Sequence, residues 1–427
     1  MPVINDHLTF LRDNASLARL IGANDFVLPN YSGFGLANLA SSAARWLGVK
    51  DMPLPAFDAS ILRHFRDRYN NVVIVLVDAL GYNQLLRLMD ENRAPLWQQQ
   101  LDHHKLIPIT SISPSTTASA LTTIWTGTCP NTHGVIGYEM WHKQLGMVIN
   151  NILHSPITYR GDVGSLSKAG FIPTEFMSQV TVGQRFGSQG VESHGYLPAS
   201  IGNSGLSQMQ LPGSIPHLFS AESDLFLHLR DQLNTPSRKR RFFYAYWSDV
   251  DTLMHRYGTY DDSTTEQFYD FSQAFFRLLV QGLTGKAKED TLILLTADHG
   301  SIETPANPDY DLANHPGLTR LLRLAPTCEG RLPFLYVRSG KEAEVRAYFK
   351  ETWNDEFALL SGQETLELKL LGIGPDHPDL ADRVGDLVAI PKGNAYLWWP
   401  ERTNTMKGRH GGLHEDEMLV PLFALDW

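Results

Sequence analysis

The chain has 427 residues and a formal net charge of −10, which suits one large α/β domain with an insertion, or two domains. Its 43% hydrophobic and 19% charged residues are typical of a soluble globular protein. The acidic balance argues against binding to nucleic acid polymers, although bound metal ions could still supply a local positive field for an anionic substrate.

The first twenty residues do not form a basic segment followed by an apolar one, so we expect no secretory signal. There is no run of 18 apolar residues, so we expect no membrane span. Two cysteines, Cys129 and Cys328, in so long a chain favour a reducing compartment. The sequence therefore predicts a cytoplasmic protein.

Three continuous apolar runs predict strands buried on both faces, as in a parallel sheet. Aspartates follow each of them: Asp78, then Asp249 and Asp251, then Asp298. Ligands bind open α/β sheets at the carboxyl ends of the strands, so we expect these aspartates to lie together. The runs are residues 71–77, 242–247 and 291–296.

Helices are expected between these strands. Residues 263–266 have the pattern of a capping box before a helix with an aromatic face, which we interpret as core packing. Residues 117–125 predict a helix whose first backbone amides would favour an anion. Residues 419–425 predict a late strand of the main sheet.

Residues 139–235 are rich in Gly, Ser and Pro and show no clear alternation of strands and helices. We interpret them as an inserted cap over the site. Residues 1–138 and 236–427 would then form the catalytic domain.

Several histidines and aspartates have the spacing of metal ligands. Asp251 and His255 are four residues apart, which places them on one face of a helical turn. Asp298 and His299 are adjacent, so their diverging side chains could serve two neighbouring ions. His410 precedes two glycines that would let the backbone bend close to a site. With Asp78, this mixed nitrogen and oxygen set suits zinc or manganese better than calcium.

A hydroxyl nucleophile is expected in the run that begins at Ser113. Hydroxyls are weak nucleophiles near neutral pH, and metal coordination can activate them. Such runs are also common as helix caps. The chemistry alone leaves Ser113, Ser115, Thr116 and Thr117 as candidates.

Six short motifs follow one another along the chain: VDALG at 77–81, PSTTASALTTIWTG at 114–127, PNTHG at 130–134, SDVDTLMHRYG at 248–258, TADHG at 296–300 and HGGL at 410–413. In this order they resemble the type I phosphodiesterase/nucleotide pyrophosphatase branch of the alkaline phosphatase superfamily. The resemblance extends from about residue 70 to the C-terminus, and it implies an α/β fold with a central, mostly parallel sheet and helices on both faces.

The resemblance also implies roles for individual residues. The family's nucleophile stands nine residues before the Thr of a Thr-Gly pair, which here is Thr126, so the nucleophile would be Thr117. His414 competes with His410 as the late ligand, and His410 is preferred because the family's late histidine directly precedes glycine. One metal would be held by Asp78, Thr117, Asp298 and His299, and the other by Asp251, His255 and His410.

One departure from the family pattern concerns substrate binding. Nucleotide pyrophosphatases carry an Asn after their HG motif that binds a phosphate oxygen, and the corresponding residue here is Tyr138. The Asn of the nucleophile motif is replaced by Ala120. A tyrosine hydroxyl can donate to phosphate, so Tyr138 is predicted to bind substrate, and nucleotide specificity is in doubt.

The sequence therefore predicts a metal-dependent phosphoric ester hydrolase acting on a small phosphorylated substrate through a phosphothreonine intermediate. A phosphomonoesterase or phosphonate hydrolase with the same site is one alternative, and a non-catalytic metal-binding domain is another. A sulfatase is disfavoured because Cys129 lacks the surrounding C/S-x-P-x-R pattern, and the absence of GxxxxGK[ST] disfavours a P-loop NTPase.

Overall fold

The computed structural model describes residues 7–13, 21–22, 25–157 and 164–427. Most strands fall into two large sheets. The strands of the described residues are β1 (Asn71–Val77), β2 (Lys105–Thr110), β3 (Glu139–His142), β4 (Met147–Asn150), β5 (Ser155–Pro156), β6 (Glu192–Pro198), β7 (Ile215–Phe219), β8 (Arg241–Trp247), β9 (Thr291–Thr296), β10 (Ile302–Glu303), β11 (Thr327–Glu329), β12 (Leu332–Leu335), β13 (Phe357–Ser361), β14 (Leu387–Pro391), β15 (Gly408–Arg409) and β16 (Leu419–Leu425).

Helices connect these strands, and many are short. The α-helices of the described residues are Leu8–Arg12, Leu39–Leu47, Ala59–Leu62, Tyr82–Asp90, Pro95–Gln100, Thr117–Thr126, Pro130–His133, Ser165–Lys168, Pro173–Phe176, Val182–Ser188, Gly205–Gln210, Glu222–Asn234, Asp249–Tyr257, Asp262–Ala274, Gly285–Glu289, Pro316–Thr319, Glu342–Trp353, Gly362–Glu367, Leu380–Val384 and Glu415–Met418. Three 3₁₀-helices and one π-helix complete them: Leu36–Asn38, Pro308–Tyr310, Leu312–Asn314 and Phe275–Val280.

The central sheet has seven strands in the order β2-β16-β9-β1-β8-β6-β7. Strand β16 is antiparallel to both of its neighbours, and the other six run in one direction. The three middle strands β9, β1 and β8 are buried along their whole length. The continuous apolar runs therefore correctly predicted the centre of a parallel sheet, and the predicted late strand is β16.

Helices cover both faces of the central sheet, as predicted. Trp125 of helix Thr117–Thr126 packs edge-on against Tyr244 of β8, with ring centroids 5.1 Å apart. Phe271 of helix Asp262–Ala274 stacks on Trp247 of the same strand at 4.4 Å. Tyr244 and Trp247 are an odd number of residues apart, so their side chains point to opposite faces.

The aromatic helix face predicted after residue 262 lies in the core, where Phe268 and Phe271 are buried. The predicted capping box, which begins at Ser263, is two residues too late. The helix begins at Asp262, and the side chain of Asp261 caps it by accepting from the Ser263 amide at 2.8 Å. An Asp that precedes a Ser-Thr-Thr run is an equally good cap.

The second large sheet is antiparallel, in the order β13-β14-β12-β11-β3-β4-β5. It joins β3 to β5, from the first part of the predicted insertion, with strands from the last quarter of the chain. Residues 182–234, in contrast, alternate helices with β6 and β7, which extend the central sheet. Strands and helices therefore do alternate within residues 182–234, and the insertion at residues 139–235 stays a prediction.

Candidate active site

The carboxyl ends of β1, β8 and β9 bring three aspartates together. Asp78 follows β1 directly, and the Ala79 amide beside it donates to Asp298 Oδ1 at 3.2 Å. Ala79 has φ +64°, a left-handed conformation that turns the chain sharply at this strand end. Asp251 lies in the first turn of helix Asp249–Tyr257, which begins just after β8.

Asp78, Asp298 and His299 form a compact buried group whose ligand atoms all lie within 4.8 Å of one another. His299 Nε2 lies 3.4 Å from Asp78 Oδ1 and 3.5 Å from Asp298 Oδ2. Thr117 Oγ1 lies 3.2 Å from His299 Nε2 and 3.4 Å from Asp78 Oδ2. The four residues predicted for one metal are thus within reach of one ion.

A second compact group contains Asp251, His299 and His410. Asp251 Oδ1 lies 3.3 Å from His255 Nε2 and 3.7 Å from His410 Nε2. The rings of His299 and His410 stack with centroids 3.7 Å apart. His299 therefore lies between the two groups, whereas the sequence placed it in one only, and His255 contacts the second group through Asp251.

The histidines turn their Nε2 atoms toward the aspartates. The Nδ1 atoms of His299, His255 and His410 lie 2.9, 2.9 and 3.0 Å from the carbonyl oxygens of Gly300, Gly408 and Ser115. A carbonyl can only accept, so each Nδ1 carries the proton and each Nε2 presents a lone pair. This is the tautomer that a metal ligand requires.

The electrostatics of this cluster fit divalent cations. Asp251 Oδ1 and Asp298 Oδ2 are buried and receive no hydrogen bond from the described residues. Burial, followed by the charges of Asp298 and Asp251, holds the pKa of Asp78 well above its usual range. Burial and the neighbouring His299 and His255 hold the pKa of His410 well below its usual range. Acceptors that converge without a donor are stabilised by a positive ion between them.

Thr117 alone among the four candidate hydroxyls reaches this cluster. It is the first residue of helix Thr117–Thr126. Ser115 Oγ donates to the Gly412 carbonyl at 2.8 Å, and Thr116 Oγ1 donates to Glu329 Oε1 at 2.5 Å. Ser113 Oγ is buried and has no partner in the described part of the chain.

The two late histidines lie in different surroundings. His414 precedes helix Glu415–Met418 and caps it, because its Nδ1 accepts from the Asp416 amide at 3.2 Å. Its Nε2 lies 3.4 Å from Asp25 Oδ2. His410 lies in the aspartate cluster, and Gly411 beside it has φ +116° and leaves no room for a Cβ, which would be 2.5 Å from Glu329 Cβ.

A cavity of about 320 Å³ opens beside Thr117. Asp251, His255, His410 and Tyr138 are among the residues that line it. Tyr138 is 37% exposed. The structure thus places the predicted substrate-binding tyrosine in the same cavity as the predicted nucleophile.

A sequence model of the type I phosphodiesterase/nucleotide pyrophosphatase family matches residues 72–413. The chain belongs to this family. The motif resemblance is confirmed, and the chain is an enzyme of the phosphoric ester hydrolase class to which the family belongs. No curated protein sequence matches the chain.

Solved structures of two kinds share the fold of this phosphodiesterase-family chain. Murine ectonucleotide pyrophosphatase/phosphodiesterase 5, as an inactive variant with AMP, has a TM-score of 0.60 at 15% identity, over 82% of this chain and 87% of that one. The human protein of the same name has a TM-score of 0.60 at 13% identity over the same shares. Phosphonoacetate hydrolase from Sinorhizobium meliloti, with phosphonoformate, has a TM-score of 0.57 at 18% identity over 83% and 89%.

A buried ion pair that the sequence did not reveal supports the site of this family member. Arg331 Nη2 lies 2.7 Å from Glu417 Oε2, and both side chains are fully buried. Glu417 Oε1 accepts from the Gly412 amide at 2.9 Å, and the Glu417 carbonyl accepts from the Gly300 amide at 2.8 Å. Glu417 therefore holds the backbone at Gly300, directly after His299, and at Gly412, two residues after His410.

Two further contacts were missed. The Tyr246 hydroxyl on β8 donates to Asp78 Oδ2, and Glu329 accepts from Thr116 beside the predicted nucleophile. Tyr246 is part of the apolar run FFYAYW, and the sequence signal that could have found it is a tyrosine hydroxyl within a strand of apolar rings. Glu329 carries no local signal, because only folding brings it to the cavity.

Proposed function

We propose that the chain is a metal-dependent phosphodiesterase with Thr117 as its nucleophile. The observation that carries this proposal is the position of Thr117 Oγ1, 3.2 Å from His299 Nε2 and 3.4 Å from Asp78 Oδ2. Thr117 also lines the cavity, so a phosphoryl group there could reach its hydroxyl. One structural neighbour is described as inactive when a threonine is replaced by alanine, which agrees with a threonine nucleophile.

Two divalent ions are part of this proposal, zinc first and manganese as the alternative. Asp78, Thr117, Asp298 and His299 would hold one ion, and Asp251, His255 and His410 would hold the other. Both groups offer carboxylate oxygen and imidazole nitrogen, a donor set that suits these metals. When bound, the ions would supply the positive charge that stabilises an attacking oxygen and a phosphate group.

The residues of the chain would carry the bond changes. Thr117 Oγ1 attacks phosphorus and forms a phosphothreonine, while the bond from phosphorus to the departing ester oxygen breaks. Water then hydrolyses the phosphothreonine, releases the phosphate product and restores the hydroxyl. Until attack, the hydroxyl is held by Asp78 and His299, and Tyr138 can donate a hydrogen bond to a phosphate oxygen.

Replacing Thr117 tests the proposal. We expect Thr117→Ala to lower kcat/KM for a chromogenic phosphodiester by about a thousandfold or more, because the attacking atom is lost. Thr117→Ser keeps a hydroxyl and should retain part of the activity. Metal content, measured by elemental analysis, shows whether the ions are still bound. Full activity of Thr117→Ala would overturn the role of this residue.

A phosphonate hydrolase or a phosphomonoesterase is the second candidate function. It is favoured by the similarity to phosphonoacetate hydrolase, which matches the chain over a comparable share of its length. A panel of chromogenic diesters and monoesters, with phosphonoacetate, separates these activities. A metal-bound protein that hydrolyses none of them would instead support a non-catalytic metal-binding domain.

We also propose a cytoplasmic location and a small phosphorylated substrate. Cys129 and Cys328 are both free and buried, as expected in a reducing compartment. None of the helices in the described residues has the length and apolar character needed to cross a membrane. Cell fractionation with an antibody against the chain tests the location.

A further inference from the structure

Besides Thr117, the candidate metal ligands and the Tyr138 hydroxyl, the cavity is lined by groups that the proposed reaction does not use. Aromatic rings of Tyr138, Trp398 and Trp399 line it, together with the carboxyl groups of Glu139 and Glu329. A cavity with apolar walls and a few polar groups is typical of a site that encloses part of a small ligand. Its chemistry therefore indicates what kind of group the substrate carries beyond its phosphate.

The two carboxyl groups have hydrogen-bond donors but no cation. Glu139 Oε2 accepts from Trp399 Nε1 at 2.8 Å, and Glu329 Oε1 accepts from Thr116 Oγ1 at 2.5 Å. Among the described residues, neither carboxyl group has a lysine, arginine or histidine nitrogen within 4.0 Å. Burial raises the pKa of Glu139, and burial with the charge of Glu139 raises the pKa of Glu329 to about 8. Both residues are half-buried, and carboxylates that are withdrawn from water are normally paired with a positive group.

Neither the proposed metals nor an arginine in direct contact provides that positive charge, although the more distant Arg402 lowers the pKa of Glu139 through its charge. Glu139 and Glu329 are absent from both compact ligand groups of the described residues. The Arg409 guanidinium lies 3.8 Å above the Tyr396 ring and donates to Thr304. Arg402 is exposed, with its Cζ 5.4 Å from the Trp398 ring centroid. The aromatic wall thus already faces one cation, while the carboxyl groups face the cavity.

We propose that this cavity binds a protonated amine carried by one ester arm of a phosphodiester substrate. The ammonium group would donate to Glu139 and Glu329 and lie against the faces of Tyr138 and Trp399. The same two carboxylates would repel additional phosphate groups, which disfavours nucleoside polyphosphates. This inference rests on the proposed function, because it assigns the part of the substrate that lies next to the attacked phosphorus.

Two matched substrates test the proposal. Both are 4-nitrophenyl phosphodiesters, one with a 2-aminoethyl arm and the other with an n-propyl arm of nearly the same size. With zinc or manganese added, we expect kcat/KM to be at least tenfold higher for the aminoethyl ester. The Glu139→Gln/Glu329→Gln double variant keeps the hydrogen-bond acceptors but removes the charges, so the ratio between the two substrates should fall to about one. The Glu192→Gln control, at the first residue of β6 and outside the cavity lining, should keep the ratio of the unmodified protein.

Equal rates on the two esters, or an unchanged ratio in the double variant, would overturn the amine site while leaving the phosphodiesterase proposal in place. Hydrolysis of neither ester would count against the phosphodiesterase proposal instead. The amine site is then decided by calorimetric binding of the two esters to Thr117→Ala. Tighter binding of the aminoethyl ester supports the site, and equal binding rejects it.

Discussion

Thr117 differs from its neighbours in what its hydroxyl contacts. Ser115 and Thr116 donate to Gly412 and Glu329, so their hydroxyls hold backbone and side chains around the site. Thr117 Oγ1 lies against an imidazole nitrogen and a carboxylate, two groups that suit a metal. The sequence could not separate these hydroxyls by chemistry, because all belong to one short run, and only the family spacing selected Thr117. The separation depends on helix orientation, which brings one of them to the strand ends.

The same limit applies to the residues that surround the aspartates. The aspartates could be predicted because each follows a buried strand, where open sheets place their ligands. Tyr246 and Glu329 could not, because a single polar residue inside or after an apolar strand has many roles. The position of His299 between both groups is likewise a matter of three-dimensional geometry.

Replacing each late histidine should distinguish a ligand from a cap. We expect His410→Asn to lose about one equivalent of bound metal, because its Nε2 faces Asp251 at 3.7 Å. His414→Asn should keep the metal content, since His414 caps a helix and asparagine is a good cap. Elemental analysis after dialysis measures both variants. Metal loss confined to His414→Asn would contradict the placement of His410 in the site.

At the level of elements, the strands that the sequence predicted are the continuous apolar ones. Strand β6 (Glu192–Pro198) was missed because it contains polar residues and a glycine. A Cβ on Gly195 would lie 2.6 Å from the end of the Leu211 side chain and 3.3 Å from the Trp125 ring, so glycine lets these side chains pack closely on the strand. In a single sequence, a glycine that allows close packing on a strand cannot be distinguished from a glycine that marks a loop.

The Arg331–Glu417 pair joins the turn between β11 and β12 to helix Glu415–Met418 beside the site. Its loss should affect both stability and metal binding. Arg331→Met leaves the Glu417 carboxylate buried without a cationic partner, so the free energy of unfolding should fall by about 3–5 kcal/mol. The Arg331→Met/Glu417→Leu double variant removes both charges and should be more stable than the sum of the single variants predicts. Urea unfolding of the metal-free protein measures these differences.

The pair also has a positioning role that stability alone would not reveal. Glu417 accepts from the Gly412 amide and, through its carbonyl, from the Gly300 amide, next to His410 and His299. We therefore expect Glu417→Gln, which can still accept from Gly412, to bind zinc more tightly than Glu417→Leu in calorimetric titrations. The exposed Lys341–Glu344 pair offers a matched control, because its removal should change neither property.

For the whole molecule, the pairing of distant strands was the hardest part to predict. Strand β3 pairs with β11 from the last quarter of the chain, and β4 and β5 follow β3 in that sheet, whereas β6 and β7 join the central sheet. Composition shows where Gly, Ser and Pro are frequent, but it carries no information on which distant strand a segment will pair with. Strand pairing over nearly two hundred residues is therefore beyond what a single sequence reveals.

Buried neutral histidines should make the whole molecule sensitive to acid. His133 Nδ1 accepts from the Val135 amide at 3.1 Å, and its Nε2 lies 3.0 Å from Thr123 Oγ1. Burial lowers the pKa of His133 to about 3 and that of His142 to about 3. Between these values and about 6.5, the pKa of an exposed histidine, the unfolded chain binds more protons than the folded one. The free energy of unfolding therefore falls as the pH drops below about 6.5, by about 1.4 kcal/mol per pH unit for each such histidine.

His133→Asn isolates the contribution of one of these groups. Asparagine can still accept from the Val135 amide but does not titrate, so the variant should be less stable at pH 7 and lose less stability between pH 6.5 and pH 5. The difference in the free energy of unfolding between the two proteins should shrink by about 2 kcal/mol over that interval. Urea unfolding of the metal-free proteins at each pH measures it, with the exposed His103→Gln as the control. A constant difference from pH 6.5 to pH 5 would show that His133 accepts a proton in the folded state and that its burial does not keep it neutral.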